Sequence, residues 1–78
     1  MPVKTYKLIE LVGASETSIE EAIRNAIERA SRSLKGVDWF EVTEVRGSVQ
    51  KGKVAQFQVK LKVGFRIMDE KEMKGLKP

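Results

Sequence analysis

Apolar positions divide the chain into four elements in the order strand, helix, strand, strand. The first strand is predicted from about Val3 to Val12, where apolar residues occupy both alternating faces. Gly13 and Ala14 then interrupt the pattern and are expected to end the strand. A strand that is apolar on both faces is usually covered on both, so this one is predicted to be buried from two sides.

An amphipathic helix follows. Its apolar residues recur at the spacing of one helical face: Ile19, Ala22, Ile23, Ala26, Ile27, Ala30 and Leu34. Thr17 or Ser18 is expected to cap the N-terminus, and the glutamate three residues after each completes a capping box. Lys35 in the last turn and Gly36 after it predict where the helix ends.

Two long strands separated by a tight turn follow the helix. They are predicted over 38–50 and 53–67, with Lys51 and Gly52 at the turn. One face of the last strand carries Ala55, Phe57, Val59, Leu61, Val63, Phe65 and Ile67. The fold class is therefore α+β, a β-α-β-β domain over 1–67 with a three-stranded antiparallel sheet packed on the helix. The charged residues 68–78 are expected to form a C-terminal tail.

A two-residue turn also sets the pairing of the hairpin, provided that no bulge intervenes. The predicted pairs are Phe40–Val63, Val42–Leu61, Glu41–Lys62 and Trp39–Gly64. Glu41 and Lys62 are expected to form a cross-strand ion pair. Trp39 is expected on the face away from the helix, with free space beside its indole because Gly64 has no side chain.

The hairpin is longer than the helix that covers it. Strands of about 13 residues extend roughly 40 Å, whereas a helix of about 17 residues covers roughly 26 Å. Phe57 and Val59 near the uncovered end are expected to lack apolar cover within one chain. With the two-faced first strand, this length difference predicts a homo-oligomer.

Composition excludes several classes of chemistry. The 78 residues include neither cysteine nor histidine, which removes disulfides, thiolate metal sites and Ser-His or Cys-His catalysis. We expect no metal site and no catalytic group. No apolar run approaches the roughly 20 residues of a membrane span, and no secretory signal is evident, so a cytoplasmic protein without a membrane partner is predicted. The net charge of +4 permits nucleic-acid or phosphorylated partners without selecting either.

Trp39 is the only tryptophan and the main candidate for chemistry. A tryptophan usually packs in a core or an interface, and that alternative stays open. On the open face of a sheet, however, an indole is a stacking platform for a planar aromatic ligand. Gln58 is predicted on the same face, where its amide offers two donors and an acceptor to the edge of such a ring. The alternative for Gln58 is a solvated side chain.

Three segments together resemble the dodecins, a family of small flavin-binding proteins. They are LVGASETSIEEAIRNAIERAS, VDWFEVTEVRGSV and VAQFQVKLKVGFR, and the resemblance extends from about Tyr6 to Arg66. It implies assembly into a hollow dodecamer, with flavins bound in pairs where subunits meet. The protein would then store and photoprotect FMN or riboflavin and would not be an enzyme.

The resemblance also implies roles for individual residues. Trp39 would stack on the isoalloxazine ring, Gln58 would hydrogen-bond to its pyrimidine edge, and Arg46 would bind the polar tail of the ligand. Val37 and Asp38, which flank the indole, are weaker candidates for contact with the flavin.

Some bacterial dodecins also bind coenzyme A on the outer surface. Lys4, Tyr6 and Arg66 are the candidates for that contact in this chain.

Two alternative functions remain. One is a redox flavoenzyme, since a bound flavin can carry redox chemistry. The other is a sheet-face RNA-binding module, in which Lys60, Lys62 and Arg66 would accompany the single tryptophan.

The predicted pairing separates the two principal candidates. Trp39 lies opposite Gly64, six residues from Gln58, which is roughly 20 Å along a strand and about twice the length of a flavin ring system. If both residues contact one flavin, they must come from different subunits.

Overall fold

The structure, a computed structural model, describes residues 5–67 of the chain. These residues form β1 (Thr5–Ser15), α1 (Ile19–Ser33), β2 (Val37–Gln50) and β3 (Lys53–Ile67). The strands form one antiparallel sheet in the order β1-β3-β2. The predicted α+β class and β-α-β-β order are confirmed. Lys4 and the predicted tail, 68–78, lie outside the described residues.

The predicted end of β1 is wrong, because the strand continues through Gly13 and Ala14 to Ser15. Gly13 lies where α1 crosses the strand. A Cβ atom built on it would overlap the backbone carbonyl oxygen of Ala22 and stand 2.9 Å from the Cβ atom of Ala26. The glycine therefore marks a close approach of helix and strand, and not the end of the strand.

The helix begins as predicted and ends slightly earlier. Ser18 is its N-cap, and the Ser18 hydroxyl accepts a hydrogen bond of 3.0 Å from the backbone N–H of Glu21. The helix ends at Ser33, so Lys35 lies beyond the last turn in which it was expected. Gly36 has a φ of 75°, a left-handed conformation that glycine adopts without strain and that leads the chain into β2.

The hairpin has the predicted turn and the four predicted pairs. Lys51 and Gly52 have φ values of 53° and 75°, and two consecutive positive values are what a two-residue type I′ hairpin turn requires. The register nevertheless contains bulges, whereas the predicted pairing assumes none. Thr43 in β2 and Ala55 in β3 are each skipped, so the pairing shifts by one residue between them and then returns.

The core lies between α1 and the part of the sheet formed by β1 and β3. Its buried residues are Ala22, Ala26, Val59, Leu61 and Val63. The expectation that Val59 lacks cover is wrong, because α1 lies over it and its exposure is 0%. Phe57 is half-buried.

The uncovered apolar surface on the helix side belongs instead to β2, an edge strand that α1 barely reaches. Its exposed residues there are Phe40, Val42, Val45 and Val49. Among residues 5–67, no helix is both long and apolar enough to cross a membrane.

Candidate ligand-binding face

The candidate site lies on the face of the sheet opposite α1, called here the outer face. Strand register and alternation assign to it Tyr6, Leu8, Glu10 and Val12 of β1, Gln56, Gln58, Lys60, Lys62, Gly64 and Arg66 of β3, and Trp39, Glu41, Glu44 and Arg46 of β2. Aromatic residues occupy one end of this face and a polar network occupies the other.

At the aromatic end, the indole of Trp39 lies over the backbone of Gly64. A Cβ atom built on Gly64 would overlap the six-membered ring of the indole. The space predicted beside Trp39 is thus filled by the indole itself. The ring of Tyr6 meets it edge to face, with centroids 4.8 Å apart and planes inclined at 71°. Trp39 still keeps 40% of its surface exposed, so it is available to a ligand.

At the polar end, four side chains form a continuous hydrogen-bonded network. Arg46 Nε donates to Gln58 Oε1 at 3.1 Å, and Gln58 Nε2 donates to Gln56 Oε1 at 2.8 Å. Arg46 Nη1 also pairs with Glu44 Oε1 at 3.5 Å. The amide of Gln58 is therefore held in one orientation, and one N–H and one carbonyl lone pair remain for a ligand.

The bulge at Thr43 places Arg46 in this network. Side chains alternate along a strand, so without the extra residue Arg46 would lie on the helix side with Phe40 and Val42. The Thr43 hydroxyl donates to the backbone carbonyl of Lys60 at 3.1 Å and ties the bulge to β3. The predicted pairing contains no bulge at Thr43, although the spacing of apolar residues on β2 changes there.

The middle of the outer face is charged. Lys60 Nζ lies 3.8 Å from Glu10 Oε2 across the β1–β3 pair. The predicted ion pair of Glu41 and Lys62 is not formed, although the two residues lie opposite each other on β2 and β3; Arg46 and Glu44 form a second ion pair on this face. Both pairs are exposed, so each contributes little to stability.

The two ends of the outer face are too far apart to contact one ring system. Trp39 pairs with Gly64, whereas Arg46 pairs with Gln58 six residues away on β3. This corresponds to about 20 Å along the strand. Within one chain, the structure brings Gln58 to Arg46 and Tyr6 to Trp39, but it does not bring Trp39 to Gln58.

The other candidate residues are placed as follows. Arg66 pairs with Tyr6 at the aromatic end. Asp38 is the exposed, skipped residue of a further bulge beside Trp39. Val37 packs against the core, so its side chain does not belong to the outer face. Among the described residues, no three acidic side chains lie close enough together to hold a metal ion.

Comparisons with known proteins identify the family and match the overall fold. The family model described as Dodecin matches residues 5–68. Dodecin of Thermus thermophilus is 50% identical over 64 residues, which cover 82% of this chain and 93% of that protein. Calcium dodecin of Mycobacterium tuberculosis is 31% identical over 65 residues, covering 83% and 92% respectively. The solved structure of dodecin from Streptomyces coelicolor superposes with a TM-score of 0.85 at 48% identity, covering 90% of this chain and all of that one.

Proposed function

The chain belongs to the dodecin family, and from that premise we propose that it binds FMN or riboflavin with the isoalloxazine ring stacked on Trp39. The observation that carries this proposal is the exposed indole, held over Gly64 on the open face of the sheet. A flat tricyclic ring gains dispersion and stacking energy against such a platform.

The proposed site is built from several copies of the chain in a homo-oligomer, a hollow dodecamer. One chain leaves large apolar side chains exposed on both faces of its sheet, among them Leu8, Val12, Phe40 and Val45. Apolar surface of this extent on a small domain favours association. The distance between Trp39 and Gln58 adds a second reason, because both can contact one flavin only when they come from different subunits.

The polar end of the outer face suits the pyrimidine edge of the flavin. That edge presents carbonyl oxygens on either side of an N–H group, and the free N–H and lone pair of Gln58 can bond to one oxygen and to the N–H. Arg46 beside it would meet the polar tail, and a phosphate there would gain charge-assisted hydrogen bonds. Asp38 is a weaker proposed contact, and Val37, whose side chain packs against the core, would contribute only its backbone.

The proposed role is storage and photoprotection, without enzyme activity. An electron-rich indole against the electron-poor flavin offers a path for electron transfer, so Trp39 would quench the excited flavin. A ring packed against indole also leaves little room for a second substrate.

Coenzyme A remains a proposed second ligand. Of its candidate contacts, Tyr6 and Arg66 are neighbours at the aromatic end of the outer face. Calcium is named for the mycobacterial relative, and we do not extend it to this chain.

Titration of the purified, flavin-free protein with FMN and riboflavin tests the proposal. Flavin fluorescence should fall as each flavin binds, and size-exclusion chromatography of the same sample should show the yellow protein eluting as a large oligomer. An oligomer that leaves flavin fluorescence unchanged at saturating protein would overturn the proposed function.

Replacing Arg46 by alanine should weaken binding of FMN by about tenfold, because a hydrogen bond from a charged donor contributes of the order of 1.5 kcal/mol. Lumiflavin, which has the ring system but no ribityl tail, should lose a smaller factor, since for this ligand Arg46 acts only by fixing the amide that faces the ring. Unchanged lumiflavin affinity would show that Arg46 acts on the tail alone. Lys53→Ala, which removes the same charge from an exposed position, is the control.

A further inference from the structure

The sole tyrosine and the sole tryptophan of the chain are in contact on the outer face. We infer that Tyr6 is a positioning residue that fixes the plane of the Trp39 indole for stacking against a flavin. This inference rests on the proposed function, but it also makes a claim about the flavin-free protein that can be tested separately.

Tyr6 supports the indole from a strand that does not adjoin it. Trp39 belongs to β2 and Tyr6 to β1, the two edge strands, and their rings meet above the central strand β3. Gly64 forms the floor beneath the indole, because only a residue without a side chain leaves room there. Tyr6 pairs with Arg66, one position further along the same face, and therefore forms a wall beside that floor.

Backbone pairing with Gly64 fixes the position of Trp39 in the sheet but does not fix the rotation of its indole. The helix α1 cannot restrict the indole either, because it packs on the opposite face of the sheet. The contacts that restrict the indole therefore come from the outer face itself. An indole that is already fixed loses less side-chain freedom when a ligand stacks on it, so Tyr6 should raise flavin affinity by pre-organisation.

The ring of Tyr6, and not its hydroxyl, makes the contact with Trp39. Tyr6→Phe should therefore keep both indole order and flavin affinity, whereas Tyr6→Leu should lower both. An edge-to-face aromatic pair is typically associated with about a threefold to tenfold change in an equilibrium constant. If the Tyr6 hydroxyl binds another ligand, Tyr6→Phe would weaken the binding of that ligand while leaving FMN binding unchanged.

Because Trp39 is the only tryptophan, time-resolved anisotropy of its fluorescence in the flavin-free protein reports the motion of this indole alone. We expect Tyr6→Leu to increase the fast part of the anisotropy decay and to weaken FMN binding by about threefold to tenfold. Tyr6→Phe should match the unmodified chain in both measurements. Size-exclusion chromatography establishes that each variant assembles, and Tyr6→Ile, whose branched side chain suits a strand, replaces the leucine variant if that one does not.

An aliphatic variant that assembles with unchanged anisotropy and unchanged FMN affinity would overturn the inference. Faster indole motion in a protein that binds no flavin at all would support the positioning role of Tyr6 and contradict the proposed function instead. Unchanged indole motion with weakened FMN binding would show that Tyr6 acts on the flavin directly, which also contradicts the inference.

Discussion

Replacing Trp39 by alanine should weaken FMN binding by about 100-fold, because loss of one stacking platform removes up to about 3 kcal/mol. Any flavin that still binds should fluoresce, since the proposed electron donor is gone. Fluorescence titration measures the affinity, and the emission at saturation measures the quenching.

Trp39→Phe is the matched control for this experiment. Phenylalanine keeps a ring on the outer face but is a poorer electron donor than indole, so affinity should fall less than in the alanine variant while part of the fluorescence returns. Bound flavin that stays equally dark in the alanine variant would contradict the quenching role of Trp39.

Gly64→Ala should also weaken FMN binding, although Trp39 itself is not substituted. The new methyl group would overlap the six-membered ring of the indole, so the indole must leave its place on the sheet. We expect FMN affinity to fall by about tenfold or more, in keeping with the roughly 1–3 kcal/mol that overpacking costs. Near-ultraviolet circular dichroism of the flavin-free protein should change as the indole moves.

The double variant Trp39→Ala with Gly64→Ala separates this mechanism from a general loss of stability. If the added methyl acts only by displacing the indole, the double variant should bind FMN no more weakly than Trp39→Ala alone, and its thermal stability should exceed that of Gly64→Ala. Additive losses of affinity would mean that Gly64 acts on the site by another route.

Local patterns were sufficient to predict most of the fold. The apolar spacing of α1, the Ser18 cap and the Lys51-Gly52 turn each follow from a few neighbouring residues, and the turn then fixes the pairing of Trp39 with Gly64. Two errors concern contacts between distant segments. The pattern around Gly13 predicts the end of a strand, because nothing local shows that α1 passes so close to it. The strand lengths predict an uncovered Val59, because the path of the helix over the sheet depends on the whole chain.

The candidate site was predicted in part for the same reason. The turn pairs Trp39 with Gly64, and alternation along β3 then places Gln58 on the same face, as the structure shows. The bond between Arg46 and Gln58 was not predicted, because it depends on the extra residue at Thr43. The sequence does hold a signal, since the apolar positions of β2 are two residues apart from Phe40 to Val42 but three apart from Val42 to Val45.

The central claim is that Trp39 of one subunit and Gln58 of another complete each flavin site. It is tested most directly by refolding an equal mixture of Trp39→Ala and Gln58→Ala subunits and counting tight FMN sites by fluorescence titration. Each variant alone should bind weakly, whereas the mixture should recover tight sites, about one quarter of the total if each site takes one indole and one amide from independently chosen subunits. A mixture of assembled subunits with no tight sites would contradict the account.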